Sequence, residues 1–86
     1  MSSKTILYIE DSPLNIRLVE RFLKPYDCKV IGEYYASSGI KRAIIEQPDL
    51  IFIDIFLPDS NGFTVYNKLR NQDETRNIPM FAMMLW

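Results

Sequence analysis

Three carboxylates stand out by where they fall. Glu10 and Asp11 directly follow a short apolar run, and Asp54 sits inside a longer one, Leu50-Ile51-Phe52-Ile53-Asp54-Ile55-Phe56-Leu57. An ionised group in such surroundings is costly to bury unless something compensates it. Alone, Asp54 could simply cap the following loop and touch solvent. If its strand neighbours the one ending in Glu10 and Asp11, about 4.8 Å away, the three acids converge at one edge of a sheet. Like charges held that closely raise one another's pKa, so the arrangement calls for a cation. A hard divalent ion with oxygen ligands relieves it, and Mg²⁺, which keeps several waters, fits better than an all-protein calcium cage. A carboxylate beside such an ion can also act as a nucleophile towards phosphorus, giving an aspartyl phosphate.

The elements that must position these acids are legible from hydrophobic spacing. Residues 5–9 are a short β-branched-rich run, and the run from Leu50 is continuously apolar, as in strands covered on both faces. Pro58 and Asn61-Gly62 are turn chemistry and stop that strand, which leaves Asp54 at its carboxyl end, where open α/β sheets bind ligands. Ser12 offers an N-cap hydroxyl and Pro13 suits a first helical position, which predicts a helix over 13–24 with Leu18, Val19, Phe22 and Leu23 as its apolar stripe. Its charges Glu20, Arg21 and Lys24 read as a solvated face, and Asn15 is a candidate to support the acids.

Residues 29–35 alternate enough for a partly exposed edge strand, with one of Tyr34 and Tyr35 packed and the other exposed. Ser37-Ser38-Gly39 opens a second helix that Pro48 closes. A third follows Gly62 and carries Phe63, Val65, Tyr66 and Leu69 inward; a loop over 71–77 leads to a fourth apolar strand over 78–85. The alternation β-α-β-α-β-α-β implies an α/β fold with a parallel sheet.

Composition bounds the function. Eighty-six residues allow one domain, 1–86, and an apolar fraction of 48% supports a real core. Ten basic residues against eleven acidic ones leave no footprint for nucleic acid. The absence of histidine excludes histidine-based catalysis and most zinc sites. The single Cys28, read as lying in a turn, excludes an intrachain disulfide and fits a reducing compartment. No targeting segment and no uncharged stretch of membrane-spanning length is visible, so a cytoplasmic protein is expected.

Glu10-Asp11 after a short strand, followed later by Asp54-Ile-Phe-Leu-Pro58-Asp-Ser-Asn-Gly62, resembles the receiver domain of two-component response regulators, especially the stand-alone receivers through Glu10-Asp-Ser-Pro-Leu-Asn15. Ala36-Ser37-Ser38-Gly39, Gln47-Pro48-Asp49-Leu50 and Asn77-Ile78-Pro79 extend the likeness over nearly the whole chain. The resemblance implies a three-layer flavodoxin-like sheet of strand order 2-1-3-4. It implies a phosphoacceptor at Asp54, served by a histidine kinase or phosphotransfer protein, and Mg²⁺ held by Glu10, Asp11, Asp54 and the backbone carbonyl of Phe56.

The chain also departs from the family. A Ser or Thr is expected at the end of the fourth strand, where alignment puts Met84, whose thioether cannot donate that hydrogen bond. The family's fifth strand with its Lys and its last helices would lie beyond Trp86, so the receiver reads as C-terminally shortened. Metal binding is expected to survive, and phosphorylation to be slow and to switch little. The uncharged fourth strand, then an edge, is expected to join two copies, and part of the first helix's stripe around Leu18, Val19 and Phe22 is expected to lie uncovered. Two other readings compete. One is a self-associating interaction module that is not phosphorylated, favoured by Met84. The other is a Mg²⁺-dependent phosphatase of the haloacid dehalogenase type, which needs a second Asp where this chain has Phe56.

Overall fold

The computed structural model describes residues 3–84. Strands and helices alternate along it: β1 (Lys4–Ile9), α1 (Pro13–Leu23), a 3-10 turn (Lys24–Tyr26), β2 (Cys28–Glu33), α2 (Ala36–Glu46), β3 (Leu50–Asp54), α3 (Gly62–Arg70) and β4 (Met80–Met83). Every pairing is parallel and the sheet runs β2-β1-β3-β4. This is the flavodoxin-like order expected.

Register decides what each face of the sheet carries. Leu7 pairs with Ile31 and Ile51, Ile9 with Ile53, and Ile51 with Met80, so these residues share one side. There they form a single core with Ala36 and Ala43 of α2 and Val65 and Leu69 of α3. Gly39 of α2 approaches so closely that an added Cβ would stand 2.5 Å from Ile9 Cδ1. The opposite side carries the row Gly32, Tyr8, Phe52, Phe81. Helix α1 covers its Gly32 end, where an added Cβ would meet Ile16 at 2.8 Å. Exposure then rises along the row, from fully buried Tyr8 through half-buried Phe52 to Phe81 at 56%.

Helix ends follow local chemistry. Ser12 Oγ accepts the Asn15 N–H at 3.3 Å with Pro13 opening α1, and Asn61 Oδ1 accepts the Thr64 N–H at 3.0 Å to open α3. Gln47 ends α2 in the left-handed region, at φ 44°.

The α1 stripe is partly uncovered, as expected, and several other expectations are corrected. None of the residues of α1 is fully buried: Ile16, Val19 and Leu23 are half-buried, whereas Leu18 and Phe22 are 54% and 73% exposed. The apolar stripe is wider than the sheet strip beneath it, because α1 sits at the β2 side and no helix among the described residues lies over β3 and β4 on that face. Phe63 is exposed while Val65 and Leu69 are buried and Tyr66 half-buried; two residues before Val65, it lies about 200° around the helix from it.

Strand β2 spans Cys28–Glu33 rather than 29–35, so Tyr34 and Tyr35 lie past its end and both are exposed. Cys28 opens that strand instead of lying in a turn. The fourth strand is shorter than 78–85. Pro79 joins the ladder only as an acceptor, taking the Ile51 N–H at 3.0 Å, and Leu85 and Trp86 lie outside the described residues.

Candidate functional site

Strands β1 and β3 are neighbours, with Ile9 opposite Ile53, so their carboxyl ends emerge side by side. Glu10 extends the ladder one step by donating its N–H to the Glu33 carbonyl at 2.9 Å. Asp54 is the last residue of β3. A carboxylate oxygen from each of Glu10, Asp11 and Asp54 lies within 4.8 Å of the other two. Glu10 and Asp54 are buried, and Asp11 stands exposed at the mouth.

The surrounding donors divide the labour among the three acids. Glu10 Oε1 accepts from the Tyr8 hydroxyl and from Asn15 Nδ2, both at 3.2 Å, and its Oε2 accepts the Ser12 N–H at 3.2 Å. The hydrogen bond with Glu10, then partial burial and the Glu10 charge, raises Asp11 above the usual carboxylate range. Burial, and after it the charge and hydrogen bond of Glu10 and the charge of Asp54, pushes the Tyr8 phenol far above its ordinary value. Asp11 and Asp54 thus keep more lone pairs free than Glu10 does. All three are hard carboxylate oxygens within 4.8 Å of one another, the donor type that Mg²⁺ prefers.

The turn after β3 is closed by its own backbone. Ile55 donates to the Met83 carbonyl at 2.8 Å, Gly62 to Ile55 at 2.8 Å and Leu57 to Ser60 at 3.3 Å, which closes an antiparallel bridge between Phe56 and Asn61. In such a non-hydrogen-bonded pair the two residues' own polar groups point away from the bridge. The Phe56 N–H goes to Asp54 Oδ1 at 3.3 Å. The glycine that follows is needed for close approach, not for a left-handed backbone, since none of the described glycines has positive φ. A Cβ on Gly62 would stand 2.8 Å from the Asp54 carbonyl oxygen and 2.9 Å from Ile55 Cα. Both atoms are backbone and cannot swing away, so Gly62→Ala is expected to cost about 1–3 kcal/mol, read as a lowered urea midpoint at unchanged slope.

Met83 lies opposite Asp54 in the β3–β4 register, and Met84 follows it, half-exposed. Two residues of the site escaped the sequence reading. Tyr8 carried a signal, a phenol two residues before Glu10 and hence on its side of the strand. Asp59 carried none: its carboxylate accepts the Ala36 and Ser37 N–H groups across more than twenty residues of chain.

Comparison with known proteins decides the family. Residues 6–84 match the response regulator receiver domain. The chain belongs to that family. This receiver is 34% identical over 85 residues to the response regulator PleD of Caulobacter vibrioides, a match covering 91% of this chain and 17% of PleD. It is 31% identical over 80 residues to the polar-differentiation response regulator DivK of Brucella anthropi, covering 93% of this chain and 65% of DivK. It therefore spans less than two thirds of the length of either relative.

Among solved structures, the receiver domain of sensor histidine kinase PA1611 from Pseudomonas aeruginosa PAO1 has magnesium coordinated in its active site cleft. That domain matches this receiver with a TM-score of 0.86 at 26% identity, over 93% of this chain and 66% of that one. The N-terminal domain of a response regulator receiver protein from Methanoculleus marisnigri JR1 shares the fold with a TM-score of 0.86 at 23% identity, over 92% of this chain and 64% of that one.

Proposed function

We propose that this receiver, as one domain over 1–86, is a cytoplasmic phosphoacceptor module of two-component or phosphorelay signalling. Asp54 takes the phosphoryl group from a histidine kinase or histidine phosphotransfer protein. One oxygen of Asp54 bonds to phosphorus as the bond from phosphorus to the donor imidazole breaks, and the imidazole keeps that electron pair. Mg²⁺ is held by Glu10, Asp11, Asp54 and the Phe56 carbonyl and, when bound, offsets charge on the phosphoryl oxygens. The observation that carries the reading is the convergence of three carboxylates within 4.8 Å at the mouth of two adjacent parallel strands. The magnesium in the related PA1611 receiver supports it. No helix of the described residues is long and apolar enough to cross a membrane.

Met84 supplies no hydroxyl to the transferring group, so transfer is slow. A second reading, an interaction module that is not phosphorylated and joins copies through β4, is favoured by the open outer edge of that strand and by exposed Phe81. Incubation with acetyl phosphate and Mg²⁺, followed by intact mass measurement, separates the readings. One added phosphoryl group supports the first, no addition the second, and sustained phosphate release without an adduct points to a phosphatase.

A further inference from the structure

We infer that Asp59 is a positioning residue for the acid site, holding the turn that carries the Phe56 carbonyl by capping α2 from outside that helix. The functional part of this inference rests on the proposed reading of the Phe56 carbonyl as a metal ligand.

Helix α2 begins without a cap of its own. Tyr35 occupies its N-cap position and makes no side-chain capping bond, so its first N–H groups need acceptors from elsewhere. Asp59 supplies both. Its Oδ1 accepts from the Ala36 N–H at 2.7 Å and its Oδ2 from the Ser37 N–H at 3.1 Å. These backbone donors hold the Asp59 carboxyl below the usual carboxylate range although it is fully exposed. A carboxylate at a helix N-terminus is also where the helix dipole favours negative charge.

The same contact fixes the turn. Its backbone bonds, Ile55 to Met83, Gly62 to Ile55 and Leu57 to Ser60, tie the turn to β4 and to itself. Leu57 seats in the core on one flank. On the other flank, Asp59 is the side chain that joins the turn to a different element. Phe56 lies between Asp54 and that doubly anchored tip, so releasing Asp59 frees the residue whose N–H meets Asp54 and whose carbonyl is the proposed ligand.

The test is Mg²⁺ titration of Asp59→Ala, followed by calorimetry well below the melting temperature. Groups that orient metal ligands typically matter by 10–100-fold, and the expected loss of affinity is about tenfold. Because the variant also uncaps α2, a second one separates the two roles. Tyr35→Asp in the Asp59→Ala background returns a local cap to the helix without reattaching the turn. A positioning role leaves the affinity of this double variant weak while its melting temperature recovers. Wild-type affinity in either variant overturns the inference, even if Asp59→Ala melts earlier.

Hydrogen exchange at the Phe56 amide reads the same role without metal. It is expected to rise about tenfold in both variants, and an unchanged rate overturns the inference. If wild-type protein bound no Mg²⁺, the metal reading would fail, and the exchange rate would still decide whether Asp59 holds the turn.

Discussion

Asp54→Asn is expected to abolish phosphoryl transfer and, in the absence of divalent cation, to make the protein more stable. The first effect follows from removing the nucleophile. The second follows from the site's electrostatics: Glu10, Asp11 and Asp54 bring three carboxylates within 4.8 Å, two of them buried. Asn is nearly isosteric, keeps an oxygen for the Phe56 N–H that Asp54 accepts, and replaces a charge by donors that Glu10 and Asp11 can use. Relief on the order of 1 kcal/mol is reasonable at the effective dielectric of a site open on one side, or about 4–8 °C for a domain of this size.

The same logic sets a pH signature. Asp11 is raised by its hydrogen bond with Glu10, so its contribution to the metal-free fold is fully present below the ordinary carboxylate range. That contribution is lost as pH rises through the raised value. Saturating Mg²⁺ should invert the order of wild type and variant, since a ligand at a hundred times its Kd adds about 2.7 kcal/mol to the form that binds it. Melting curves with and without Mg²⁺ read both signs. A variant less stable than wild type without metal would show that the cluster is not under repulsion.

The second large effect concerns association. Among the described residues, strand β4 pairs with β3 alone. The carbonyls of Pro79 and Met83 accept from β3, at Ile51 and Ile55, so by alternation the polar groups of Met80 and Ala82 face the outer edge. Nothing charged blunts that edge: Met80, Phe81, Ala82 and Met83 are all apolar. Unblunted edges pair with other chains. Beside this edge lie exposed Phe81 and half-buried Phe52, and farther across the same face, at the β2 side, α1 exposes the i, i+4, i+8 series Leu14, Leu18 and Phe22. Burying each large side chain fully is worth about 1.5–3 kcal/mol, enough in sum for a two-fold dimer, the commonest closed assembly.

Sedimentation at micromolar concentration is expected to show a dimer. Ala82→Pro removes an outward N–H without touching the β3 ladder and is tolerated at an edge, so it should weaken association at least tenfold. A well-folded wild-type monomer would remove the proposal.

How much of this was legible in the sequence depends on whether the signal was local. The alternation of elements, the Ser12–Pro13 start of α1 and the place of Asp54 at a strand end all came from neighbouring residues, and the fold agrees with them. Sidedness was harder. Phe63 is spaced as an apolar residue that seeks burial, but spacing does not say whether a partner element lies above it, and it is exposed. Tyr34 and Tyr35 failed for a related reason, since β2 stops before them. The acids of the site were readable because each lies at, or just past, the end of a strand. Asp59 was not, because its partners at Ala36 and Ser37 are set by how two loops meet across the sheet edge.

The atom that receives the phosphoryl group can be identified directly. After reaction with acetyl phosphate and Mg²⁺, borohydride reduces an aspartyl phosphate to homoserine, and the tryptic peptide 43–68 holds three candidate aspartates, Asp49, Asp54 and Asp59. Sequencing by mass spectrometry is predicted to find homoserine at position 54 alone, dependent on Mg²⁺ and absent from Asp54→Asn. Homoserine at 49 or 59, or labelling that survives in Asp54→Asn, would contradict the assignment of Asp54 as the phosphoacceptor.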